Sequence, residues 1–230
     1  MNSDIPRRHF IKSFSIPLIA ASLLTTLKLV AKESYGPWIS LFNGKDLSGW
    51  EGVNGTSLNW EVTDGTLVNT GRKSGNASWI AHEREFSDFE LEVEFKYEPG
   101  CNSGVFFRTP PVKRSPAYLG NEIQIADMHD PQLQEKLSHD RHMGALYTVS
   151  PPSKEAAKKP GEWQRINVLC KAEHCQVRVN GILLQDVQLN QFSKDILKEH
   201  PGLLRSNGHI GLQSKETPIE FRTVRIREIR

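Results

Sequence analysis

Phe89-Glu90-Leu91-Glu92-Val93-Glu94-Phe95-Lys96-Tyr97 decides the fold class. Apolar and charged residues alternate without a break, a period of two that belongs to an extended strand. Phe89, Leu91, Val93, Phe95 and Tyr97 fall on one face and the three glutamates and Lys96 on the other. This is a half-solvated antiparallel strand, one face on a core and one in water. Working outward, Trp60-Glu61-Val62-Thr63 and Thr66-Leu67-Val68-Asn69 flank Asp64-Gly65, a hairpin with a primed turn. Residues 163–171 and 175–179 predict a second hairpin, and Asn180-Gly181 turns the chain into residues 182–187. Ile39-Ser40-Leu41-Phe42 starts the domain, and shorter strands are expected at 78–81, 105–108, 122–126, 143–147, 209–213 and 219–229, with one short helix between Phe192 and Glu199. Many short strands, frequent Gly/Asn/Asp turns and almost no helix predict an all-β fold. Long strands with one polar face favour a two-sheet antiparallel β-sandwich of jelly-roll type.

The chain has 230 residues, 29 Lys+Arg against 27 Asp+Glu, and a net charge of +2. No basic stripe is present, so nucleic acid is not an expected partner. The length suits a single sandwich domain, read as residues 38–230. Arg7-Arg8-His9-Phe10-Ile11-Lys12, an apolar run over 14–27 and Ala31 read as a twin-arginine signal peptide over residues 1–31. The run is too short and too rich in Ser and Thr for a stable membrane span. Export to the periplasm or beyond is the expectation, with an uncleaved anchor as the alternative. Three cysteines, Cys101, Cys170 and Cys175, leave at least one thiol unpaired. Cys170 and Cys175 flank the turn Lys171-Ala172-Glu173-His174 and could pair across it.

Chemistry concentrates in Gly120-Asn121-Glu122-Ile123-Gln124-Ile125-Ala126-Asp127. Ile123 and Ile125 mark a packed face, and Glu122, Gln124 and Ala126 an open one. An open strand face carrying a carboxylate and an amide suits a sugar site. Asp127 stands five residues after Glu122, so an unbroken strand puts the two carboxyls on opposite faces. A β-bulge would bring Asp127 back beside Glu122 and Gln124, and that bulge is the expectation. Cys101-Asn102-Ser103-Gly104-Val105-Phe106-Phe107-Arg108 adds an apolar strand opened by a polar turn and ended by one arginine. Asn102 and Ser103 read either as a plain turn or as a rim of the site.

The order of motifs then resembles a known family. Leu41-Phe42-Asn43-Gly44-Lys45-Asp46-Leu47-Ser48-Gly49-Trp50 opens it, followed by Asn102-Ser103-Gly104-Val105-Phe106-Phe107-Arg108 and Glu122-Ile123-Gln124-Ile125-Ala126-Asp127. Gly144-Ala145-Leu146-Tyr147, Gly161-Glu162-Trp163, Asn180-Gly181, Gly208-His209-Ile210-Gly211-Leu212-Gln213 and Phe221-Arg222 complete it. Over residues 38–230 the chain is similar to the 3-keto-disaccharide hydrolase family. The resemblance implies a concanavalin A-like lectin/glucanase sandwich and action on glycosides whose sugar carries a ketone at C3. Such a ketone acidifies the C2 hydrogen, so a base, an acid for the leaving group and a partner for the enolate suffice. Glu122 or Asp127 is the candidate base. Arg108 is the candidate enolate partner, or else an ion-pair partner of Glu122, and Tyr147 is the candidate acid. Gln124 and Gln213 are candidates for binding hydroxyls, with Asn102, Ser103 and His209 at the edge of the cleft.

The spacing Glu122-x-Gln124-x-x-Asp127 also resembles the bulged Glu-x-Asp-x-x-Glu of sandwich-fold β-glucanases, in which the outer carboxyls are nucleophile and acid/base. Gln124 departs from that pattern, and Asp127 is one methylene short. A conventional β-glucanase and a non-catalytic sugar-binding module stay as alternatives. No cofactor is required. His129, His139 and His142, with Asp127, are weak candidates for a divalent metal, against a solvated loop. Trp50, Trp60, Trp79 and Trp163 offer stacking faces or core, Trp163 above all as core. The expected partners are the 3-keto-glycoside and an upstream sugar 3-dehydrogenase.

Overall fold

The structure is a computed structural model and describes residues 34–53, 59–71, 78–112 and 116–230. The twin-arginine segment lies outside the described residues. Among those described, no helix is long and apolar enough to cross a membrane.

Two antiparallel sheets carry the fold. The larger runs β11 (Ile182–Gln188), β10 (His174–Val179), β9 (Gln164–Lys171), β6 (Phe89–Tyr97), β13 (Ile219–Glu228), β4 (Thr66–Asn69) and β3 (Trp60–Thr63), with β1 (Ile39–Ser40) also on β13. The smaller runs β2 (Trp50–Val53), β5 (Ser78–Phe86), β12 (Gly208–Ser214), β7 (Asn102–Thr109) and β8 (Asn121–Ala126). This is the jelly-roll sandwich that the alternation predicts. Both primed turns form: φ is +49° and +75° at Asp64-Gly65, and +51° and +83° at Asn180-Gly181.

The opening stretch becomes β6, and its apolar face is the centre of the core. Phe89, Leu91, Val93, Phe95 and Tyr97 are buried against Ile166 and Val168 of β9 and against Ile80, Val105, Phe107, Ile123, Ile125 and Leu212 of the smaller sheet. Each such side chain contributes about 1.5–3 kcal/mol through burial. The opposite face of β6 is neutralised across the strands. Glu90 pairs with Arg227, Glu92 with Arg225 at 2.7 Å, Glu94 with Arg165 at 2.7 Å and Arg222 at 3.0 Å, and Lys96 with Glu220 at 3.0 Å. Direct cross-strand register makes most of these pairs unavoidable.

Some elements differ from expectation. Trp163 is not core: it is half-buried on this charged face, with the Arg222 guanidinium 4.3 Å and the Lys96 ammonium 5.1 Å from its ring centre. Residues 143–147 form no regular strand, yet they run along β8 through Gly144 N–H to Gln124 O, Gln124 N–H to Ala145 O and Tyr147 N–H to Glu122 O. The polar segment before them holds α2 (Pro131–Lys136, with α1 at Pro116–Leu119), and the expected late helix is α3 (Lys194–Glu199). Cys170 and Cys175 stand directly opposite across β9 and β10, but all three thiols are free and buried.

Candidate functional site

Strand alternation divides the smaller sheet into two chemistries. Its inner face joins the core. Its outer face presents, row by row, Trp79, Gln213, Gly104 and Gln124, then Ala81, Gly211, Phe106 and Glu122. Val53, Trp79, Ala81, Phe106 and Ala117 make a small apolar floor here, and Tyr118 and Tyr147 pack against it. Two glycines keep that floor low. A Cβ at Gly104 would lie 2.1 Å from Glu122 Oε1, and one at Gly211 would lie 2.7 Å from the Trp79 ring. The Glu122 side chain therefore lies across Gly104, toward the middle of the sheet.

Glu122 is 3% exposed. Burial pushes its carboxyl up to about 8, with Lys215 pulling it back down. Lys215 follows β12 at the next outward position after Gly211 and Gln213. Its Nζ donates to Asn102 Oδ1 at 2.9 Å, and the same oxygen accepts from Gln124 Nε2 at 3.0 Å. Burial lowers the Lys215 ammonium below its usual range, and Glu122 raises it. Tyr147 borders the other side. Burial raises its hydroxyl, against the pull of Arg141, whose guanidinium sits 5.4 Å from the ring centre. Arg141 Nε, Trp79 Nε1 and Gln213 Oε1 are buried without hydrogen-bond partners. Tyr118 stacks on His200 at 4.6 Å. An acid of raised pKa, a cation, a phenol and unsatisfied donors and acceptors around an apolar floor are the parts of a site for a polyhydroxylated ligand undergoing proton transfer.

The structure brings together Glu122, Gln124, Asn102, Gln213 and Tyr147 from the expected set, and separates the others. Asp127 does not join Glu122. Pairing of β7 with β8 is unbroken from Asn102↔Ala126 to Phe107↔Asn121, so the odd offset leaves Asp127 on the opposite side. Its carboxylate accepts from Gly100 N–H at 3.0 Å and His129 N–H at 2.9 Å and ties a turn. The bulge lies on β7 instead. His209 faces Thr109 and Gly211 faces Phe106, so Phe107 and Arg108 together oppose Ile210. Arg108 takes φ +49° there, and its side chain leaves the outer face. Its guanidinium donates to the carbonyls of Ser87 at 2.7 Å and Ala172 at 2.6 Å and pairs with Asp88 at 3.1 Å. It contacts neither substrate face nor Glu122.

Ser103 is also turned inward, its hydroxyl donating to Gln213 O at 2.9 Å. His209 is engaged by the His82 carbonyl at 2.8 Å and Glu85 at 3.4 Å. His142 is buried between Leu137 O at 3.2 Å and Glu155 at 3.4 Å, with His139 against it. Among the described residues no three His, Cys, Asp or Glu side chains are placed to hold a metal, so the histidine set does not assemble. Trp50 and Trp60 are core, and only Trp79 reaches the site face. Lys215, Arg141 and Tyr118 were not foreseen. The outward spacing Gly211-x-Gln213-x-Lys215 was the one signal for Lys215; Arg141 and Tyr118 come from irregular segments that carry no periodicity.

A family model described as the 3-keto-alpha-glucoside-1,2-lyase-like domain matches residues 37–227. A 3-keto-disaccharide hydrolase of Bacteroides thetaiotaomicron is 27% identical over 251 aligned positions, covering 94% of this chain and 85% of that protein. A solved putative glycosyl hydrolase of Parabacteroides distasonis superposes with a TM-score of 0.70 at 28% identity, over 84% of this chain and all of that one. A non-specific endo-beta-1,3(4)-glucanase of family GH16 shares the fold, with a TM-score of 0.55 at 12% identity over 87% of this chain and 92% of that one.

Proposed function

Because the chain belongs to the 3-keto-alpha-glucoside-1,2-lyase-like domain family and is a glycoside hydrolase of that kind, we propose that it cleaves 3-keto-glycosides by removing the C2 proton. The observation that carries this reading is the Glu122 carboxyl: buried, lying across Gly104, with no hydrogen-bond partner among the described residues and a pKa raised to about 8. A base of that strength suits proton transfer from carbon next to a ketone. In the proposed cycle Glu122 takes the C2 hydrogen. The C1–O bond then breaks, and the Tyr147 hydroxyl protonates the departing oxygen. Water adds at C1 of the resulting enone and returns a proton to Tyr147, and Glu122 returns one to C2. The net change is hydrolysis, and it balances on side chains and water. Gln124, Gln213 and Trp79 Nε1 bind ring hydroxyls.

A two-carboxylate glucanase mechanism is disfavoured, because Asp127 ties a turn on the opposite side of β8. The twin-arginine segment supports an exported enzyme. The ketone calls for a sugar 3-dehydrogenase upstream.

The test is turnover of a chromogenic 3-keto-β-glucoside beside its unoxidised parent, in deuterated water. The keto compound should be cleaved with deuterium placed at C2, and the parent left intact. Comparable cleavage of the parent would refute this reading in favour of a glucanase. Binding of keto sugars within about tenfold of each other by wild type and Glu122→Gln, with no cleavage by either, would establish a binding module.

A further inference from the structure

The Arg108 guanidinium is taken up by the Ser87 and Ala172 carbonyls and Asp88, so the enolate formed by this chemistry lacks the cation expected for it. We propose that Lys215 is a catalytic residue: its ammonium takes the charge that develops on the C3 oxygen of the substrate. The assignment rests on the keto-sugar reading above.

Geometry selects Lys215. It directly follows β12, two positions beyond Gln213 and in line with its outward row. Gln213 faces Trp79 on β5, and Gly104 faces Gln124 on the other side. An ammonium has three donors, and among the described residues one is used, on Asn102 Oδ1 at 2.9 Å. That anchor is itself fixed by Gln124 Nε2, so the cation is held by the residue that also orders the strand bearing Glu122. The charged and titratable groups facing Lys215 are Glu122, Cys101 and Arg141. Glu122 and Lys215 act on each other's charge but close no ion pair. A carboxyl and an ammonium held near each other and left open fit the two ends of a C2–C3 unit, with hydrogen toward the carboxyl and oxygen toward the ammonium.

Arg141 has another assignment. Its guanidinium sits on the Tyr147 ring and belongs to the leaving-group side. During the step, the electron pair of the C2–H bond becomes the C2–C3 double bond and the C3 carbonyl becomes an enolate. That pair then returns to expel the C1 oxygen. Lys215 stays protonated throughout and donates a hydrogen bond that is strongest when the oxygen is anionic.

Enolisation can be read without cleavage. A 1,5-anhydro-3-keto-glucitol has no exocyclic leaving group at C1, and its C2 hydrogen exchange in deuterated water is followed by proton NMR with wild type, Lys215→Met and Lys215→Arg. Removing one donor to an oxyanion slows a reaction by about 10²–10³-fold. Lys215→Met should slow exchange by that factor. Lys215→Arg should retain at least a tenth of wild-type exchange and move the alkaline limb of its pH profile upward. Equal exchange by wild type and Lys215→Met overturns the assignment. If Lys215→Met does not fold, an alkaline limb unchanged in Lys215→Arg overturns it equally. A sugar adduct on Lys215 after borohydride treatment overturns it too, because the residue would then be forming a ketimine. Exchange by no variant, wild type included, removes the keto-sugar reading and this assignment with it.

Discussion

Replacing Glu122 by Gln should stabilise the protein, and by an amount that grows with pH. The carboxyl titrates at 4.5 in an ordinary setting, and burial pushes it up to about 8. Between these values the unfolded chain has released the proton while the native state still holds it. Native stability therefore falls as pH rises through this window, and it levels off above about 8. Below 4.5 both states are protonated, and the carboxyl has no effect. Each tenfold change in proton activity inside the window is about 1.4 kcal/mol, so the whole interval is about 5 kcal/mol as an upper bound. The value of about 8 already contains the opposing pull of Lys215; relaxation and water entry around the ionised carboxylate reduce the expected gain to roughly 2–4 kcal/mol. An amide has nearly the same shape and no charge to desolvate. Urea unfolding of both proteins, followed by tryptophan fluorescence at pH 5, 7 and 9, isolates the term, because other titrating groups cancel in the difference. The advantage of Glu122→Gln should be small at pH 5 and reach that range by pH 9. For a domain of this size that is roughly 5–15 °C in Tm. An advantage that stays flat across the range, or a variant less stable than wild type at every pH, would refute the reasoning. Either result would mean that the carboxylate is ionised throughout and paired with Lys215.

Gly104→Ala places a Cβ 2.1 Å from Glu122 Oε1. The flexible carboxyl can swing away, so the thermal midpoint should change by only a few degrees while keto-glycoside turnover falls at least about a hundredfold; unchanged turnover would show that the pose across Gly104 is irrelevant. Arg108→Met strips the partners of the Ser87 and Ala172 carbonyls and of Asp88. It should lose about 3 kcal/mol in chemical denaturation with kcat of the folded enzyme within about twofold, whereas a hundredfold loss of kcat at full stability would put Arg108 back in the site.

Period-two alternation and turn chemistry are local, and they carried most of the architecture. Phe89 to Tyr97 can bury five apolar side chains only as a strand, and Asp64-Gly65 and Asn180-Gly181 tolerate the positive φ of primed turns wherever they lie. The outward polar face of β8, with Glu122 and Gln124, was legible for the same reason, and so were Asn102, Gln213 and Tyr147 as its neighbours. Tertiary structure decided where the register breaks. A bulge depends on the pairing of two strands distant in sequence. It fell on β7 at Arg108, which faces β12, and not on β8 at Asp127. That one placement moved a guanidinium out of the site and left a carboxylate tying a turn. Lys215 shows the converse. Along the chain it reads as one surface lysine among many, and it becomes the cation beside Glu122 only because β12 pairs between β5 and β7, which sets Gln213 in the row that crosses Gly104 and Lys215 just beyond it, on Asn102.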